Sequence, residues 1–589
     1  MTRRDTEVRN EARGSGLWGT GRGGGGSRDS RNNALRRGLL ALLALTLAAP
    51  LAASAGRGHR SWARSYLAPS LARVAAQTPN ATVPVIVQST EGSGEAADAL
   101  ESFTSTTRRL SIVGAAAAAV SAGDLPELAR EHDLVITPDQ AVVFDGKPEA
   151  TKGHKPRNRG PHGGPYSSSD VWPAAVGADQ LWPSIAGNGR NAPAAPTIAF
   201  VDSGIDVSRP DFGARVLAQV DFTTLPGNST GDGRGHGTFV AGLAAGSAAS
   251  HAGAAPTSGI VALDVMDDQG TARTSDVIAA AQWIVRNHNA YNIRVANFSL
   301  HSASPTSFRW DPLDKAIEKV WFSGVVVVAP AGNQGQGANP TPMAYAPGND
   351  PFVITVGALD VHSSAKPERA EMAPWSAWGY TLDGFSKPEL SAPGRAIVGP
   401  VPVDSTLAAE RPGQLVRTRE GTYMTLSGTS LSAPIVAGLA ADLLTFHPYW
   451  TPDQVKGALM HGARALPKVR TLAAGVGEAY GPTAAQSWSP PNPNRALDAF
   501  LIRDPDAGGV IFDDVSWLAG AKASTAWDTV SWLDGWADVS WSDVSWSDVS
   551  WSDVSWSDVS WSDVSWSDVS STDVSWADVA RRVYGDVAP

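Results

Sequence analysis

Three polar residues in this chain have the types and surroundings that nucleophilic attack on an acyl group requires. Ser430 lies in the sequence Leu-Ser-Gly-Thr-Ser-Leu-Ser-Ala-Pro, directly before an apolar run that ends at Leu444. His236 stands between two glycines, and Asp202 follows the apolar run 197–201. A serine hydroxyl is a weak nucleophile until a base removes its proton, and a histidine base needs a carboxylate that orients its ring. Together the three residues could fill these roles.

The local patterns predict which elements would position these side chains. Pro434 falls in the first turn of an expected helix, where its missing N–H does no harm, and this helix is apolar enough to be buried. A serine at a helix N-terminus lies near unpaired N–H groups and the positive end of the helix dipole, which favour an oxyanion. The apolar run before Asp202 predicts a buried strand, and the glycines around His236 indicate the start of a second helix.

The motifs around these residues resemble the three signatures of the subtilisin family of serine peptidases. They read Asp-Ser-Gly-Ile-Asp, Gly-His-Gly-Thr and Gly-Thr-Ser-Leu-Ser-Ala-Pro, and they occur in that family's order of aspartate, histidine and serine. The resemblance implies that Asp202, His236 and Ser430 form a catalytic triad. Taken singly, each residue has an ordinary explanation as a loop cap, a surface histidine or a turn, but their joint occurrence favours catalysis.

A fourth segment, residues 324–333, reads as a buried strand that ends in a turn of small residues. It resembles the family's Ala-Gly-Asn segment. The resemblance implies that the side-chain amide of Asn333 donates to the oxyanion beside the N–H of Ser430. A turn asparagine without a catalytic role is the alternative.

The strand segment 297–300 resembles the family's strand that lines the cleft and pairs with the extended backbone of a substrate. Ser299 and Leu300 are therefore the predicted substrate-binding residues, since an added strand gains main-chain hydrogen bonds. The sequence departs from the family pattern at His301 and Ser302, where two glycines are common. A narrower or more polar subsite and a histidine that points to solvent are both consistent with this departure.

The resemblance also bears on metal ions. Triad chemistry requires no cofactor, but members of the family often hold structural calcium. Asp211 resembles one common calcium ligand, yet calcium needs several oxygen ligands from separate segments, and the sequence does not identify the others. An ordinary turn aspartate is the alternative.

The composition is that of a globular chain without thiol chemistry. The chain has 589 residues, of which 42% are hydrophobic and 18% charged, enough for a large core and several domains. The net charge of −11 offers no basic footprint, so we expect no nucleic-acid partner. The absence of cysteine excludes disulfides and thiol catalysis.

Residues 1–55 read as a leader that contains a signal peptide. Two arginines precede the apolar stretch 38–49, which is too short to span a membrane, and Ala-Ser-Ala at 53–55 supplies a small-residue cleavage site. The arginine pair permits both the Sec and the twin-arginine route of export, and an uncleaved anchor is the alternative. The pattern therefore predicts a secreted or cell-surface protein.

Residues 56–165 combine strand and helix patterns and end in a processing linker. The apolar segments 83–87, 110–114, 134–138 and 142–144 are expected strands of one small α+β domain, and Asp124 with Glu127 suggests a capping box. A domain of this kind ahead of a protease resembles the family's propeptide, which assists folding and occupies the cleft until it is removed. An unrelated accessory domain is the alternative. Glycines, prolines and basic residues at 145–170 predict an exposed segment in or near which processing falls.

Residues 166–505 alternate strand and helix patterns. This alternation predicts an α/β fold with a parallel sheet that is flanked by helices on both faces. The resemblance implies a subtilisin-like catalytic domain. Polar residues at strand C-termini and helix N-termini agree with the general rule for sites in such sheets.

Residues 506–589 carry the five-residue repeat Trp-Ser-Asp-Val-Ser, and most of the chain's 22 tryptophans lie in this tail or just before it. Because five is odd, a regular strand would place successive tryptophans on opposite faces, and the units are too few for a stable solenoid. The alternatives are an acidic disordered segment and an aromatic stripe that binds envelope material, another protein or a second copy.

The residues and the resemblance together predict a secreted serine endopeptidase that is made as a proenzyme. Its partners would be protein or peptide substrates and its own propeptide, and an acyl-enzyme would form on the serine. The alternative from another functional class is an adhesion or envelope-binding protein in which the Trp-rich tail carries the function. A maturation protease with one physiological target is a third reading, because subsite shape cannot be read from the sequence.

Overall fold

The computed structural model describes residues 65–89, 91–130, 133–143, 166–186, 195–469, 471–504 and 509–523. The leader, most of the linker and the repeat units from 524 onward lie outside these ranges. The predictions made for those segments therefore stay predictions.

The strands are β1 Tyr66–Leu67, β2 Thr82–Ser89, β3 Arg108–Leu110, β4 Ala115–Ser121, β5 Leu134–Pro138, β6 Ala141–Val143, β7 Thr197–Asp202, β8 Val216–Asp221, β9 Gly259–Asp264, β10 Thr271–Arg273, β11 Ile293–Phe298, β12 His301–Ser302, β13 Val326–Pro330, β14 Ile354–Asp360, β15 Glu371–Met372, β16 Gly379–Tyr380, β17 Ser386–Lys387, β18 Leu390–Pro393, β19 Ile397–Pro400, β20 Leu415–Thr418, β21 Gly421–Leu426, β22 Leu501–Arg503 and β23 Val510–Phe512. The helices are α1 Pro69–Gln77, α2 Ser93–Glu101, α3 Leu125–Leu128, α4 Trp172–Ala175, α5 Ala178–Ala186, α6 His236–Ala245, α7 Thr274–Asn287, α8 Pro312–Phe322, α9 Thr406–Glu410, α10 Thr429–Phe446, α11 Pro452–His461, α12 Thr471–Ala474, α13 Gly481–Ala485 and α14 Asp514–Ala523.

A five-stranded sheet with the order β1-β5-β2-β4-β3 forms the N-terminal part of the described chain and has a hydrophobic core of its own. The strands predicted at 83–87 and 134–138 are present as β2 and β5, which pair antiparallel. The strand predicted at 110–114 is wrong, because β3 ends at Leu110 and residues 111–113 form a 3₁₀ turn. The expectation that 142–144 completes this sheet is wrong, because β6 pairs instead with two strands of the following region. The suggested capping box is also wrong, since the Asp124 side chain makes no cap bond to α3.

An eight-stranded sheet lies at the centre of the following region. Its order is β15-β14-β13-β11-β7-β9-β8, with β18 beside β14. All neighbouring strands run parallel except the edge pair of β14 and β15. Strands β7 and β13 are buried along their whole length, as expected of apolar strands in a sheet that is covered on both faces. The predicted α/β class is confirmed.

Two pairs of helices pack on this sheet. Helices α6 and α10 contact each other, and α10 contacts β7, β11 and β13. Helices α7 and α8 form a second pair, which contacts β7 and β13. Within the part of the chain that the structure describes, α10 is the one helix long and apolar enough to cross a membrane, but 94% of it is buried inside the protein. It is a core helix, as the sequence predicts for the segment after Ser430.

The boundary predicted at residue 506 falls inside packed structure. Strand β23 pairs with β22, and Trp517 on α14 is 1% exposed. The Trp517 ring contacts Phe308, Phe385 and Phe512. Large aromatic contacts of this kind anchor a segment to its domain. The predicted boundary is therefore wrong, and the packed region extends at least through α14.

Candidate active site

One strand end and two helix N-termini bring the predicted triad residues into contact. Asp202 is the last residue of β7, His236 is the first residue of α6, and Ser430 is the second residue of α10. Gly235 caps α6 at φ +91°, a conformation that glycine adopts without strain. The carboxyl edge of the sheet thus collects all three polar side chains, as the rule for parallel sheets predicts.

The distances within the triad fix the direction of each hydrogen bond. Nδ1 of His236 lies 2.7 Å from Oδ1 of Asp202, and Nε2 lies 3.2 Å from Oγ of Ser430. A carboxylate only accepts, so Nδ1 carries the proton of the neutral ring and Nε2 accepts from the serine hydroxyl. All three residues are at most 4% exposed. This arrangement can take a proton from serine while the carboxylate holds the imidazole in place.

Asn333 is buried beside the serine in a fixed orientation. Its Oδ1 accepts from the N–H of Thr429 at 2.9 Å and from the Thr429 hydroxyl at 3.1 Å. Oγ1 of Thr429 in turn accepts from the N–H of Gly332 at 3.1 Å. Because Oδ1 faces Thr429, which precedes Ser430, the Nδ2 group is the donor end of the amide. An oxyanion site needs a donor of this kind next to the nucleophile.

Asp232, which the sequence analysis missed, joins the two halves of the triad. Its Oδ1 accepts from the Ser203 hydroxyl at 2.8 Å and from the N–H of Gly235 at 2.6 Å. Its Oδ2 accepts from the N–H of Thr238 at 2.7 Å. Oγ of Ser203 also accepts from the N–H of Gly237 at 3.0 Å. The carboxylate thus connects the residue after Asp202 to the first turn of α6.

Burial and hydrogen bonding change the pKa of Asp232 in opposite directions. The residue is 5% exposed, and burial raises its pKa to about 7 although the hydrogen bonds from Thr238, Gly235 and Ser203 lower it. The signal in the sequence was an acidic residue four positions before His236, inside a glycine-rich turn. A local pattern of this kind does not reveal a contact with Ser203, which follows a strand far away in the sequence.

Comparison with known proteins shows to which protein family this chain belongs. Residues 194–483 match the Subtilase family. Over 271 residues the chain is 35% identical to subtilisin of Bacillus pumilus. This match covers 46% of this chain and 84% of that protein. The chain belongs to the subtilase family. It is also 33% identical over 275 residues to serine protease AprX of Bacillus subtilis (strain 168), covering 45% of this chain and 60% of AprX. The chain is 32% identical over 282 residues to M-protease of Shouchella clausii (strain KSM-K16), and this match covers 47% of this chain and 62% of that protein. The chain thus spans less than two thirds of AprX and of M-protease.

The predicted substrate residues Ser299 and Leu300 of this subtilase lie between β11 and β12. The Ser299 hydroxyl donates to the carbonyl oxygen of Ser430 at 2.9 Å, and Leu300 is 1% exposed. The strand pairing in the cleft is made by the next two residues, His301 and Ser302. The substrate role of Ser299 and Leu300 stays a prediction.

A segment of the subtilase's own N-terminal part lies in this cleft. Strand β6 runs between β10 and β12 in a three-stranded antiparallel sheet. Val143 is in register with Thr271 on one side and with His301 on the other, and Val142 is fully buried. This is β-strand addition, the mode in which an extended peptide binds to exposed strand edges.

Two polar contacts hold the same segment against the first turn of α7. Asp139 accepts from the N–H of Ser275 at 2.8 Å and from the Ser275 hydroxyl at 2.7 Å. Its carboxylate therefore takes the place of a helix cap and faces the positive end of the helix dipole. Burial raises the pKa of Asp139, and the bonds from Ser275 oppose that shift. In the same turn, Asp276 forms an ion pair with Arg108 of β3.

The residues around Asp211 do not fit the calcium ligand that the resemblance suggested. Oδ2 of Asp211 accepts from Nε of Arg209 at 3.1 Å and pairs with Nη2 at 3.0 Å, while Oδ1 accepts from the Tyr423 hydroxyl. A guanidinium at this carboxylate repels a divalent cation. Among the described residues, no group of three or more His, Asp or Glu side chains is arranged to hold a metal ion.

Proposed function

We propose that this subtilase is a serine endopeptidase that hydrolyses protein or peptide substrates with Asp202, His236 and Ser430. The observation that carries the proposal is the pair of contacts made by His236, 2.7 Å to the carboxylate and 3.2 Å to the hydroxyl. The names of its relatives, subtilisin and serine protease AprX, support the same activity.

The geometry supports a sequence of proton and acyl transfers. Oγ of Ser430 attacks the scissile carbonyl carbon while Nε2 of His236 takes the hydroxyl proton, and Asp202 stabilises the imidazolium that results. Nδ2 of Asn333 and the N–H of Ser430 stabilise the oxyanion of the tetrahedral intermediate. His236 then gives the proton to the leaving amine, and the acyl-enzyme forms. Water attacks this ester with His236 again as the base, which releases the acid and restores the serine.

The proposal includes synthesis as a proenzyme in which the region that ends at Val143 is the propeptide. Support comes from β6, which lies in the cleft as a substrate strand would. Because β6 is antiparallel to β12, the direction of β6 at Val143 is toward Ser299, whose side chain touches Ser430. We therefore expect the cleaved bond within the first few residues after Val143, at the start of the predicted linker.

The proposal also includes export from the cell. The apolar stretch 38–49 behind two arginines and the Ala-Ser-Ala site support a signal peptide, and they leave the route open. The aromatic repeat beyond residue 523 would then meet the cell envelope or other exported proteins.

Intact mass spectrometry of the expressed full chain tests the triad and the processing together. We expect the wild type and a matched Ser489→Ala control, altered at an exposed serine, to lose all residues up to a bond shortly after Val143. The Ser430→Ala variant should keep that bond and hydrolyse no casein. Cleavage at the same bond by purified Ser430→Ala, or casein hydrolysis by it, would contradict the assignment of the nucleophile.

A further inference from the structure

A second serine, histidine and carboxylate are linked by hydrogen bonds outside the proposed active site. Oγ of Ser169 lies 3.0 Å from Nε2 of His251, and Nδ1 of His251 lies 3.1 Å from Oε2 of Glu420. A carboxylate only accepts, so Nδ1 carries the proton of the neutral ring and Nε2 accepts from the serine hydroxyl. The order of contacts is the one that a nucleophile, its general base and an orienting carboxylate require.

Helix α6 separates this second site from the first. The helix begins at His236 and ends at Ala245, and its ten residues span about 15 Å. The chain then doubles back, because Ala252 pairs with Ser247, and this keeps His251 at the C-terminal end of α6. The two sites share no residue, so each can be altered without removing a group of the other.

The base of the second site is held by contacts on both of its nitrogens and on its ring. Oε1 of Glu420 accepts from the N–H of Ser250 at 2.9 Å, which directs Oε2 toward the neighbouring His251. Glu420 itself stands in the turn between β20 and β21, where its N–H donates to the Thr418 hydroxyl at 3.1 Å. The His251 ring packs against Tyr423 of β21, with the ring centroids 4.4 Å apart. These contacts orient the base before any reagent arrives.

The nucleophile of the second site is held by backbone pairing and can be reached from solvent. Ser168 forms a β-bridge with His251, and the N–H of Ser169 donates to the carbonyl of Ser250 at 2.8 Å. Ser169 is partly exposed, and the side chains of His251 and Glu420 are 10% and 19% exposed. A small reagent can therefore approach the Ser169 hydroxyl.

Ser169 does not have the helix N-terminus that surrounds Ser430. It lies ahead of α4, and its N–H is already bonded to the carbonyl of Ser250. That N–H is not available to an oxyanion, and the loss of one such donor typically costs about 10²–10³ in rate. An aryl ester, whose phenolate leaves readily, demands less oxyanion stabilisation than an amide does.

We propose that Ser169, His251 and Glu420 form a second acyl-accepting site, which takes acyl groups from activated aryl esters and does not cleave peptide bonds. Oγ of Ser169 attacks the ester carbonyl carbon while Nε2 of His251 takes the hydroxyl proton. The bond between that carbon and the phenolate oxygen breaks, and the phenolate leaves with the electron pair. The product is an ester on Ser169, and His251 gives its proton to water. Glu420 is a positioning residue in this step.

The test uses the full chain with Ser430→Ala, so that the first nucleophile is absent, and p-nitrophenyl acetate as the probe. We expect release of p-nitrophenolate together with one acetyl group on Ser169, located by tandem mass spectrometry. His251→Gln should lower the rate of acetylation at Ser169 by at least about 100-fold, the usual contribution of a general base. The matched control His461→Gln, at an exposed histidine, should not change that rate.

Glu420→Gln tests the positioning residue. The amide oxygen can still accept from the N–H of Ser250, but the amide NH₂ group can donate to Nδ1 of His251 and favour the tautomer with its proton on Nε2. We expect slower acetylation of Ser169. NMR of isotope-labelled ring nitrogens should show the changed tautomer of His251, a change that a merely structural role of Glu420 would not produce.

Mapping of the acetyl group in Ser430→Ala needs no change at the second site, so the inference stays testable if a variant of His251 or Glu420 fails to fold. Absence of an acetyl group on Ser169, or equal acetylation in folded His251→Gln, would overturn the proposal. Casein hydrolysis that Ser169→Ala abolishes would overturn the exclusion of peptide bonds. None of these results bears on the proposed endopeptidase, because its nucleophile has been removed from the protein tested.

Discussion

The contact between Asp139 and α7 gives a quantitative prediction for how firmly the proposed propeptide binds to the cleft. Replacing Asp139 by alanine removes both of its bonds to Ser275, one from a backbone N–H at 2.8 Å and one from a hydroxyl at 2.7 Å. Loss of a cap costs about 1 kcal/mol, and a hydrogen bond to a charged group contributes somewhat more. Allowing for non-additivity, we expect the complex of cleaved propeptide and enzyme to lose about 2 kcal/mol.

This loss should appear in the dissociation rate, since changes within an interface act mainly on that rate. About 2 kcal/mol corresponds to about thirtyfold. The assay is the lag before peptide hydrolysis begins after the full chain has cut itself, with the cut followed separately by mass. Asp139→Ala should shorten the lag about thirtyfold, whereas Glu127→Ala, at an exposed position of the same region, should not change it. An unchanged lag in Asp139→Ala would refute the claim that this carboxylate holds the propeptide.

Three further substitutions test other parts of the structure. Asn333→Ala should lower kcat by about 10²–10³, the magnitude typical of an oxyanion donor, and an unchanged kcat would exclude the donor role. Glu389→Gln weakens a buried carboxylate that accepts from Lys387 at 2.6 Å and Lys456 at 3.0 Å. Chemical denaturation of the Ser430→Ala protein should then show a loss of about 3–5 kcal/mol. Asp232→Asn should flatten the pH dependence of the free energy of unfolding, measured in the same Ser430→Ala protein. The pKa of Asp232 rises from 3.8 to about 7 on folding, so its contribution is fully present below pH 3.8 and is lost as the pH rises through 7. A wild-type slope in this variant would contradict the assignment.

The sequence predicts the parts of this fold that depend on local patterns. The apolar run before Asp202 and the glycines beside His236 mark a strand end and a helix start, and both elements are present. Thr451 shows the same at a helix start, because its side chain accepts from the N–H of Gln454 and the Gln454 side chain accepts from the N–H of Thr451. Periodicity and capping chemistry act over a few residues, so these features can be read without tertiary information.

The features that the sequence did not predict depend on partners far along the chain. Strand β6 reads as one more strand of the N-terminal sheet, but its partners are β10 and β12. Trp517 falls inside the predicted tail, yet it packs against Phe308 and Phe385. Asp232 carries no motif of its own, and its importance depends on a serine that β7 delivers. Strand register and side-chain packing decide these contacts, and neither leaves a periodic signal.

In the proposed precursor, cleavage of the chain and release of the propeptide would be separate steps. Cleavage after Val143 breaks one covalent bond, but it leaves the pairing of β6 with β10 and β12 and the cap that Asp139 provides to α7. Those contacts keep a product in the position that a substrate would occupy. The covalent link had also held the effective concentration of this segment high, and cutting removes that advantage. If the proposed cleavage occurs, the same strand addition that presents the chain to Ser430 would therefore make the product an inhibitor, until the contacts away from the cleft are lost.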